Sequence, residues 1–178
     1  NVVGYLTEIP RLFNKDILPY RYYFDEGIGY TYYNLGMTNT LPTTNSFIST
    51  AHSSITELYD SLGLGRGTMT LRGPEELKAL FSVKYTIANG GYYPYSPTTT
   101  ITDSSGHAWF IYEDIETLPI GFTYDSYMPK SEFLKVSIED RAKGMLETLV
   151  VKDEDVEKVS SILEAFNFEN DHNTDTSM

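Results

Sequence analysis

The chain has 178 residues, which is enough for one medium domain with a real hydrophobic core. Its formal net charge of −12 disfavours nucleic acid and anionic membrane surfaces as partners, because both would be repelled. The sequence contains no cysteine, which excludes a disulfide framework and a thiolate metal site.

The first predicted elements are an entry helix and a strand. Apolar residues form a loose helical stripe over residues 2–13, and residues 20–24 alternate as a strand does. The N-terminus has neither a start methionine nor the layout of a signal peptide, and no apolar run approaches the roughly 20 residues of a membrane helix. We therefore expect the chain to be a piece of something longer.

A second helix is predicted over residues 51–62. Ile55, Leu58 and Leu62 recur at helical spacing, and Gly63 suits the position just past the helix end. Ser54 and Glu57 have the spacing of a capping box. The glycines that follow in residues 63–68 fit a mobile connector better than a phosphate-binding loop, because no lysine follows them and no strand precedes them.

A helix and a strand at residues 73–89 organise the chain. Pro74 suits the first helical position, acidic residues follow it, and Leu77, Leu80 and Phe81 fall on one face. The helix leads almost without a loop into residues 83–88, where apolar and polar side chains alternate. The pattern predicts a central strand of a sheet.

A tyrosine-rich loop is predicted after this strand. Residues 90–103 cannot form a regular helix, and two prolines keep most of them out of a central strand. Tyr92, Tyr93 and Tyr95 could stack against sugar faces, or the loop could fold back and pack on the core. The sequence leaves both interpretations open.

The second half of the chain is predicted to contain two strands and three helices. Residues 108–112 suit a strand covered on both sides, and residues 118–125 begin another strand with Ile120, Phe122 and Tyr124 on one side. Three helices then follow: one opened by Pro129, one capped by Ser137 with Ile138, Ala142, Met145, Leu146 and Leu149 on its inner face, and one over residues 153–166.

The sequence contains few residues in patterns that are typical of a catalytic site. His52, His107 and His172 are scattered and lack paired metal-ligand spacing. Carboxylates that include Glu113 and Asp125 flank the two later strands, and a pair of them could perform glycosidic acid–base chemistry. Solvated turn acids are the simpler interpretation. The sequence predicts no catalytic residue, no cofactor and no metal site in this chain.

Four ordered blocks resemble the YfhO-type bacterial membrane proteins. Residues 19–23 are similar to a family strand written fYRi, and residues 82–87 to a segment written lgvKYvi. The small residues at 45–49, with the helix and glycine that follow, also resemble the family order. The most specific block is residues 118–125, which resemble the family pattern LPlgftYd. Asp114 departs from the pattern, in which asparagine is common.

The resemblance implies a function for the parent protein. YfhO-type proteins are polytopic and resemble GT-C-type glycosyltransferases, which use a lipid-phosphate sugar on the outer face of the membrane and have been linked to glycosylation of teichoic-acid-type polymers. The membrane helices and the reactive acids lie upstream of the matched segment. This implies a chain that is inactive by itself, within a parent that is a glycosyltransferase.

The expectation is an α+β fold, a single domain over residues 1–166 with a mixed or antiparallel central sheet packed by amphipathic helices, and a flexible acidic tail over residues 167–178. We expect this extracytoplasmic domain to contact its own upstream transmembrane domain and a lipid-linked sugar or cell-surface polymer, and not nucleic acid. The candidate substrate-binding residues are Tyr92, Tyr93, Tyr95, Glu113 and Asp125.

Two other functions stay open. A structural or protein-interaction module of a membrane protein would present a broad apolar patch without a cleft. An independent glycoside-cleaving enzyme would require two carboxylates roughly 5 to 10 Å apart in a cleft.

Overall fold

A computed structural model describes residues 20–25, 34, 41–45, 52–64, 73–89, 96–102, 106, 108–114 and 116–167. These residues belong to two compact units. Unit 1 takes its residues from Asn1–His52 and Arg66–Gly121, and unit 2 from Ser53–Gly65 and Phe122–Met178. The elements, in chain order, are β1 (Arg21–Phe24), α1 (Ser53–Ser61), α2 (Glu75–Leu80), β2 (Val83–Ala88), β3 (Thr99–Thr102), β4 (Ala108–Glu113), β5 (Ser126–Pro129), α3 (Lys130–Phe133), α4 (Ile138–Glu147), β6 (Leu149–Val151), a 3₁₀ turn (Asp153–Asp155), α5 (Val156–Val159) and β7 (Glu164–Ala165).

Unit 1 is built on a mixed four-stranded sheet in the order β1-β2-β4-β3. β1 runs parallel to β2, and the two other pairings are antiparallel. β2 is therefore an inner strand, as its alternating pattern predicts. One face of the sheet carries the hydrophobic core of the unit, which consists of Tyr22, Phe24, Ile87, Trp109 and Ile111.

The helix α2 joins β2 through a very tight connection. Ser82 is buried and adopts a positive φ of 57°, which ends the helix and turns the chain directly into the strand. Leu77 and Lys78 are the buried residues of α2. The predicted helix and strand are both confirmed, with Pro74 at the N-cap, one position earlier than the sequence suggests.

The outer edge of β1 is closed by a short segment at residues 41–45. The Tyr22 amide donates to the Pro42 carbonyl at 2.8 Å, and Tyr22 forms an isolated parallel bridge with Thr43. The buried Asn45 side chain then pairs with the backbone of Phe24. Its Oδ1 accepts from the Phe24 amide at 2.8 Å, and its Nδ2 donates to the Phe24 carbonyl at 2.9 Å. The side-chain amide of Asn45 thus pairs with Phe24 of β1 as the backbone of a neighbouring strand would.

Unit 2 contains a three-stranded parallel sheet in the order β6-β5-β7.

Arg141 of α4 donates to three backbone carbonyls, those of Ser61 at 2.6 Å, Leu134 at 2.7 Å and Val136 at 3.0 Å. The first of these carbonyls is the last residue of α1, so the guanidinium joins two helices that are distant in the sequence.

Caps at the helix ends of unit 2 partly follow the sequence. The Ser137 hydroxyl accepts from the Asp140 amide at 3.3 Å, which confirms the predicted cap of α4. Gly63 follows α1 with φ +67°, as its position predicts. The capping box at α1 is wrong, because Ser54 lies inside the helix and Glu57 instead forms an ion pair with Lys130. Ile138 is also more than half exposed, although helical periodicity places it on the inner face of α4.

Two expectations about strands are wrong. Thr99–Thr102 forms the edge strand β3 in place of a loop, because β-branched threonines suit an edge that needs no apolar cover on both faces. Residues 118–125 are not a strand, and Ile120 is 50% exposed. Pro119 removes a ladder donor and Gly121 weakens any extended pairing. The chain enters β5 only at Ser126.

The predicted last helix over residues 153–166 is broken into shorter pieces. A 3₁₀ turn, the four-residue α5 and the strand β7 take its place, and Ile162 is 80% exposed. The amide of Phe166 donates to the Tyr127 carbonyl at 2.8 Å, and Glu164–Ala165 pairs with β5. Pairing with a distant strand has overridden the local helical pattern.

The predicted α+β class with a mixed central sheet is confirmed. The entry helix over residues 2–13 and residues 168–178 of the predicted tail lie outside the described residues. The division into a domain at residues 1–166 and a tail stays a prediction.

Candidate functional site

The most distinctive polar surface of unit 1 surrounds Lys84 in β2. The Lys84 Nζ lies 4.8 Å from the ring centroid of Tyr20 and 5.8 Å from that of Tyr85. It also forms an ion pair with Glu113 Oε1 at 3.3 Å. We call Tyr20, Lys84, Tyr85 and Glu113 the Lys84 cluster. It brings two aromatic rings, an ammonium and a carboxylate together on one surface.

An irregularity in strand pairing places Lys84 in this position. Arg21 pairs with Val83 and Tyr22 pairs with Tyr85, so Lys84 is an extra residue with no partner in β1. On the other side of β2, Tyr85 is the direct cross-strand neighbour of Glu113. Side chains of directly opposed residues lie side by side on one face of a sheet. The carboxylate therefore comes from β4, and the ammonium and one ring come from β2.

The contacts within the cluster raise the pKa of both Lys84 and Tyr85. The hydrogen bond to Glu113, followed by the nearby phenols and carboxylate, raises the pKa of Lys84. Burial, and then the charge of Glu113, raises the pKa of Tyr85. At neutral pH the lysine is therefore a cation and the Tyr85 phenol is neutral. This combination offers strong donors, strong acceptors and apolar ring faces together.

Tyr22 holds the Tyr85 ring from the core side. The two rings stack with centroids 5.5 Å apart and an interplanar angle of 27°. Burial, together with Tyr85, raises the pKa of Tyr22 to about 12. Tyr22 is 3% exposed and belongs to the core cluster. One ring of the Lys84 cluster is thus held against a fixed support, which lowers the entropic cost of presenting it to a ligand.

A second group of charged residues lies around α2 and Asp114. Asp114 Oδ2 accepts from the Thr86 hydroxyl at 3.2 Å, and burial raises the pKa of Asp114 while the charge of Lys78 opposes that rise. Lys78 is itself buried; its Nζ lies 2.9 Å from Glu75 Oε1 and 5.3 Å from the Tyr23 ring centroid. A buried cation with a carboxylate and a ring as partners is typical of an internal polar network. We interpret this group as structural.

A comparison with protein families identifies the chain. A family model described as bacterial membrane protein YfhO matches residues 21–177. The chain belongs to the YfhO family. Neither the curated proteins nor the solved structures give a significant match. The matched range covers most of the sequence and includes Lys84, Tyr85 and Glu113 of the Lys84 cluster, while Tyr20 lies one residue before it.

Family membership makes this chain part of a membrane protein. Within the residues that the structure covers, no helix has the length and apolar character needed to span a bilayer. The same described residues contain no group of three or more histidine, cysteine, aspartate or glutamate side chains arranged to hold a metal ion.

The candidate site residues of this YfhO chain have different outcomes. Tyr92, Tyr93 and Tyr95 lie outside the described residues, so their role stays a prediction. Glu113 lies in the Lys84 cluster. Asp125 belongs to unit 2, where its backbone carbonyl accepts from the Glu164 amide at 3.1 Å. The structure therefore places Glu113 beside an aromatic and cationic partner, and places Asp125 at the entrance of β5.

Sequence reasoning missed three of the four cluster residues. Alternation along β2 places Lys84 on the polar face, away from Tyr85, and gives no reason to connect it with Tyr20. A lysine directly beside a tyrosine in a strand, with a second tyrosine at the start of another predicted strand, was the available signal. That signal is weak without the register, because strand order decides which residues meet.

Proposed function

We propose that this YfhO-family chain is the extracytoplasmic domain of a polytopic membrane protein that resembles GT-C-type glycosyltransferases. Its role is to assist the binding or orientation of a lipid-linked sugar donor or a cell-surface polymer acceptor of the teichoic-acid type. The reacting groups belong to the membrane-embedded part of the parent protein. This domain therefore binds substrate without taking part in the chemical step.

The observation that carries this proposal is the Lys84 cluster. Ligand sites typically combine apolar surface with a few convergent polar groups, and tyrosine rings are common at such sites. Here Tyr20 and Tyr85 supply the rings, while Lys84 and Glu113 supply a donor and an acceptor 3.3 Å apart. Family membership places such a surface in a membrane protein.

The first experiment determines on which side of the membrane this chain lies. Because the sequence has no cysteine, a single engineered cysteine in this chain reports its own location. Lys135→Cys is suitable, since the Lys135 side chain is 70% exposed. In a full-length parent protein without other cysteines, a membrane-impermeant maleimide should label this residue in intact cells. Labelling only after permeabilisation would overturn the extracytoplasmic assignment.

The second experiment tests the binding role in the full-length parent. Sugar transfer to the cell-surface polymer is measured in membranes that contain wild-type protein, Lys84→Gln or Tyr20→Ala. For Lys84→Gln we expect an increase in apparent KM of about tenfold with a smaller change in kcat, because losing a charged hydrogen bond costs about 1.5–3 kcal/mol of binding free energy. Tyr20→Ala should also raise the apparent KM, because it removes an aromatic ring that contacts the ligand. Lys135→Gln, which alters an exposed lysine paired with Glu132, is the matched control.

The outcome of a larger deletion decides the proposal. A parent protein that lacks this domain but is inserted normally in the membrane should lose most of its transfer activity. Undiminished activity would end the idea that the domain handles substrate.

A second candidate function is a structural or protein-interaction module without a binding role. Exposed large apolar side chains in unit 2 favour it, among them Ile55, Leu134, Ile138 and Ile162. Under this alternative, Ile162→Ser would lower the amount of parent protein in the membrane, and Lys84→Gln would leave sugar transfer unchanged. The binding proposal requires the opposite result for Lys84→Gln.

A further inference from the structure

We infer that the Lys84 cluster binds an uncharged hexopyranose ring, in preference to a phosphate group. This inference rests on the proposed function and specifies which chemical part of a sugar-bearing substrate the domain recognises. Three properties favour a sugar ring: the paired charges of the cluster, its aromatic rings and the net negative charge of the whole chain.

The polar groups of the cluster match a pair of neighbouring hydroxyls. An ammonium carries three donors and a carboxylate carries about four acceptor positions. Lys84 and Glu113 are 3.3 Å apart, and within the described part of the chain Glu113 is the partner that Lys84 pairs with. One hydroxyl of a vicinal diol accepts from Lys84 while the other donates to Glu113. Neighbouring hydroxyls of a sugar ring can accept one hydrogen bond and donate another at this spacing. A phosphate group mainly accepts hydrogen bonds, so it matches Lys84 but not Glu113.

The rings of the cluster suit the apolar face of a pyranose. The axial C–H bonds on one face of the sugar carry a weak positive charge and pack against the negative face of an aromatic ring. Tyr20 and Tyr85 both lie within 6 Å of the Lys84 ammonium, so a diol bound there brings the sugar ring to the tyrosines. Tyr22 stacks on one face of the Tyr85 ring and keeps it in place, so the sugar packs on the ring surface that Tyr22 and the ammonium leave uncovered.

Charge disfavours phosphate at the same position. The Glu113 carboxylate would lie beside any anion that Lys84 binds, and two like charges at that distance repel. The formal net charge of −12 adds a long-range repulsion of anions. The Lys84 cation is thus already balanced, and an uncharged ligand avoids breaking that balance.

Glu113→Gln separates the two ligand classes by the sign of its effect. For a hexose, removing the carboxylate charge weakens the hydrogen bond from a sugar hydroxyl, so affinity should fall about tenfold. For phosphate, the same substitution removes a repulsive charge, so affinity should rise. Lys84→Gln weakens binding in both cases and confirms the location.

The experiment is an NMR titration of the isotopically labelled chain with a panel of methyl hexopyranosides and, in a separate arm, with inorganic phosphate. We expect at least one hexoside to shift the amide signals of Lys84, Tyr85 and Glu113, with weaker binding to Glu113→Gln and unchanged binding to Lys135→Gln. The wild-type titration by itself locates the site, so the test does not depend on a variant that folds poorly.

Two results would overturn the inference. Phosphate could shift the same signals and bind Glu113→Gln more tightly than wild type; in that case the cluster recognises the phosphate part of the substrate, and the proposed function stands. Alternatively, no hexoside could shift these signals at any concentration up to its solubility limit. If the parent protein also keeps full activity without the domain, the proposed function fails separately.

Discussion

Asn45 is a single buried side chain on which the edge of a sheet depends. It forms two hydrogen bonds with the backbone of Phe24, one as acceptor and one as donor. Asn45→Ala leaves a buried amide and a buried carbonyl without partners, and we expect the unfolding free energy to fall by about 2–4 kcal/mol. Urea unfolding followed by circular dichroism measures this loss.

Asn45→Asp is the informative comparison for that prediction. A carboxylate keeps an acceptor for the Phe24 amide but places a negative oxygen against the Phe24 carbonyl. We therefore expect an effect as large as that of alanine or larger. A change below about 0.5 kcal/mol in both variants, the range of neutral surface substitutions, would contradict the role assigned to Asn45.

Asp114 is a partly buried carboxyl group whose protonation should make the unfolding free energy depend on pH. Burial raises the pKa of this carboxyl above its ordinary 3.8, so the folded state holds the proton more tightly than the unfolded state does. The resulting stabilisation is fully present at pH values below the pKa that Asp114 has in the unfolded state. It is lost as the pH rises through the higher pKa that Asp114 has in the folded state. Asp114→Asn keeps an acceptor for the Thr86 hydroxyl and removes this titration.

The test of Asp114 compares the wild type and Asp114→Asn by urea unfolding over a series of pH values. The difference in unfolding free energy, variant minus wild type, should increase as the pH rises from the ordinary carboxyl pKa of 3.8 towards neutrality. Other titrating groups are common to both proteins and cancel in the difference. Parallel curves would show that Asp114 titrates alike in both states.

At the scale of elements, Arg141 connects α1 with the start of α4. Its guanidinium donates to the carbonyls of Ser61, Leu134 and Val136, and its planar fork of donors suits three separate acceptors. Arg141→Gln should lower the unfolding free energy by about 2–4 kcal/mol, since hydrogen bonds from a charged donor are lost and carbonyls lose partners. Arg141→Lys should recover only part of this loss.

Hydrogen exchange distinguishes this connection from a general loss of packing. The Leu62 and Leu64 amides bond to carbonyls inside α1, so they report on the end of that helix. We expect Arg141→Gln to accelerate their exchange more than that of the α2 end amide of Phe81. Lys135→Gln, an exposed substitution in the same unit, is the control and should leave exchange unchanged. Equal acceleration at both helix ends would contradict the prediction.

At the scale of the whole molecule, the chain passes between the two compact units three times, after His52, after Gly65 and after Gly121. Neither unit is therefore one continuous segment, and we expect the single predicted domain to unfold in one cooperative transition. Asn45→Ala, a change in unit 1, should lower the apparent melting temperature reported by probes in both units. Separate shifts of the two units would divide the chain into two domains.

Local sequence pattern was sufficient where one period dominates and the partner is close in the chain. The strand β2, the helix α1 and the Ser137 cap of α4 each depend on neighbouring residues, and each is confirmed. The pattern failed at residues 153–166. A helical stripe there competes with strand pairing to β5, which local periodicity does not encode.

The candidate site was likewise predicted only in part from the sequence. Glu113 was predicted as a carboxylate at a strand end, and the sequence by itself determined the family, the α+β class, the acidity and the tyrosine-rich strands. Only the tertiary structure decided that Lys84 is the extra residue opposite β1 and that Tyr85 lies across from Glu113. Strand register is set by contacts between residues far apart in the chain, and a shift of one residue turns every side chain to the other face.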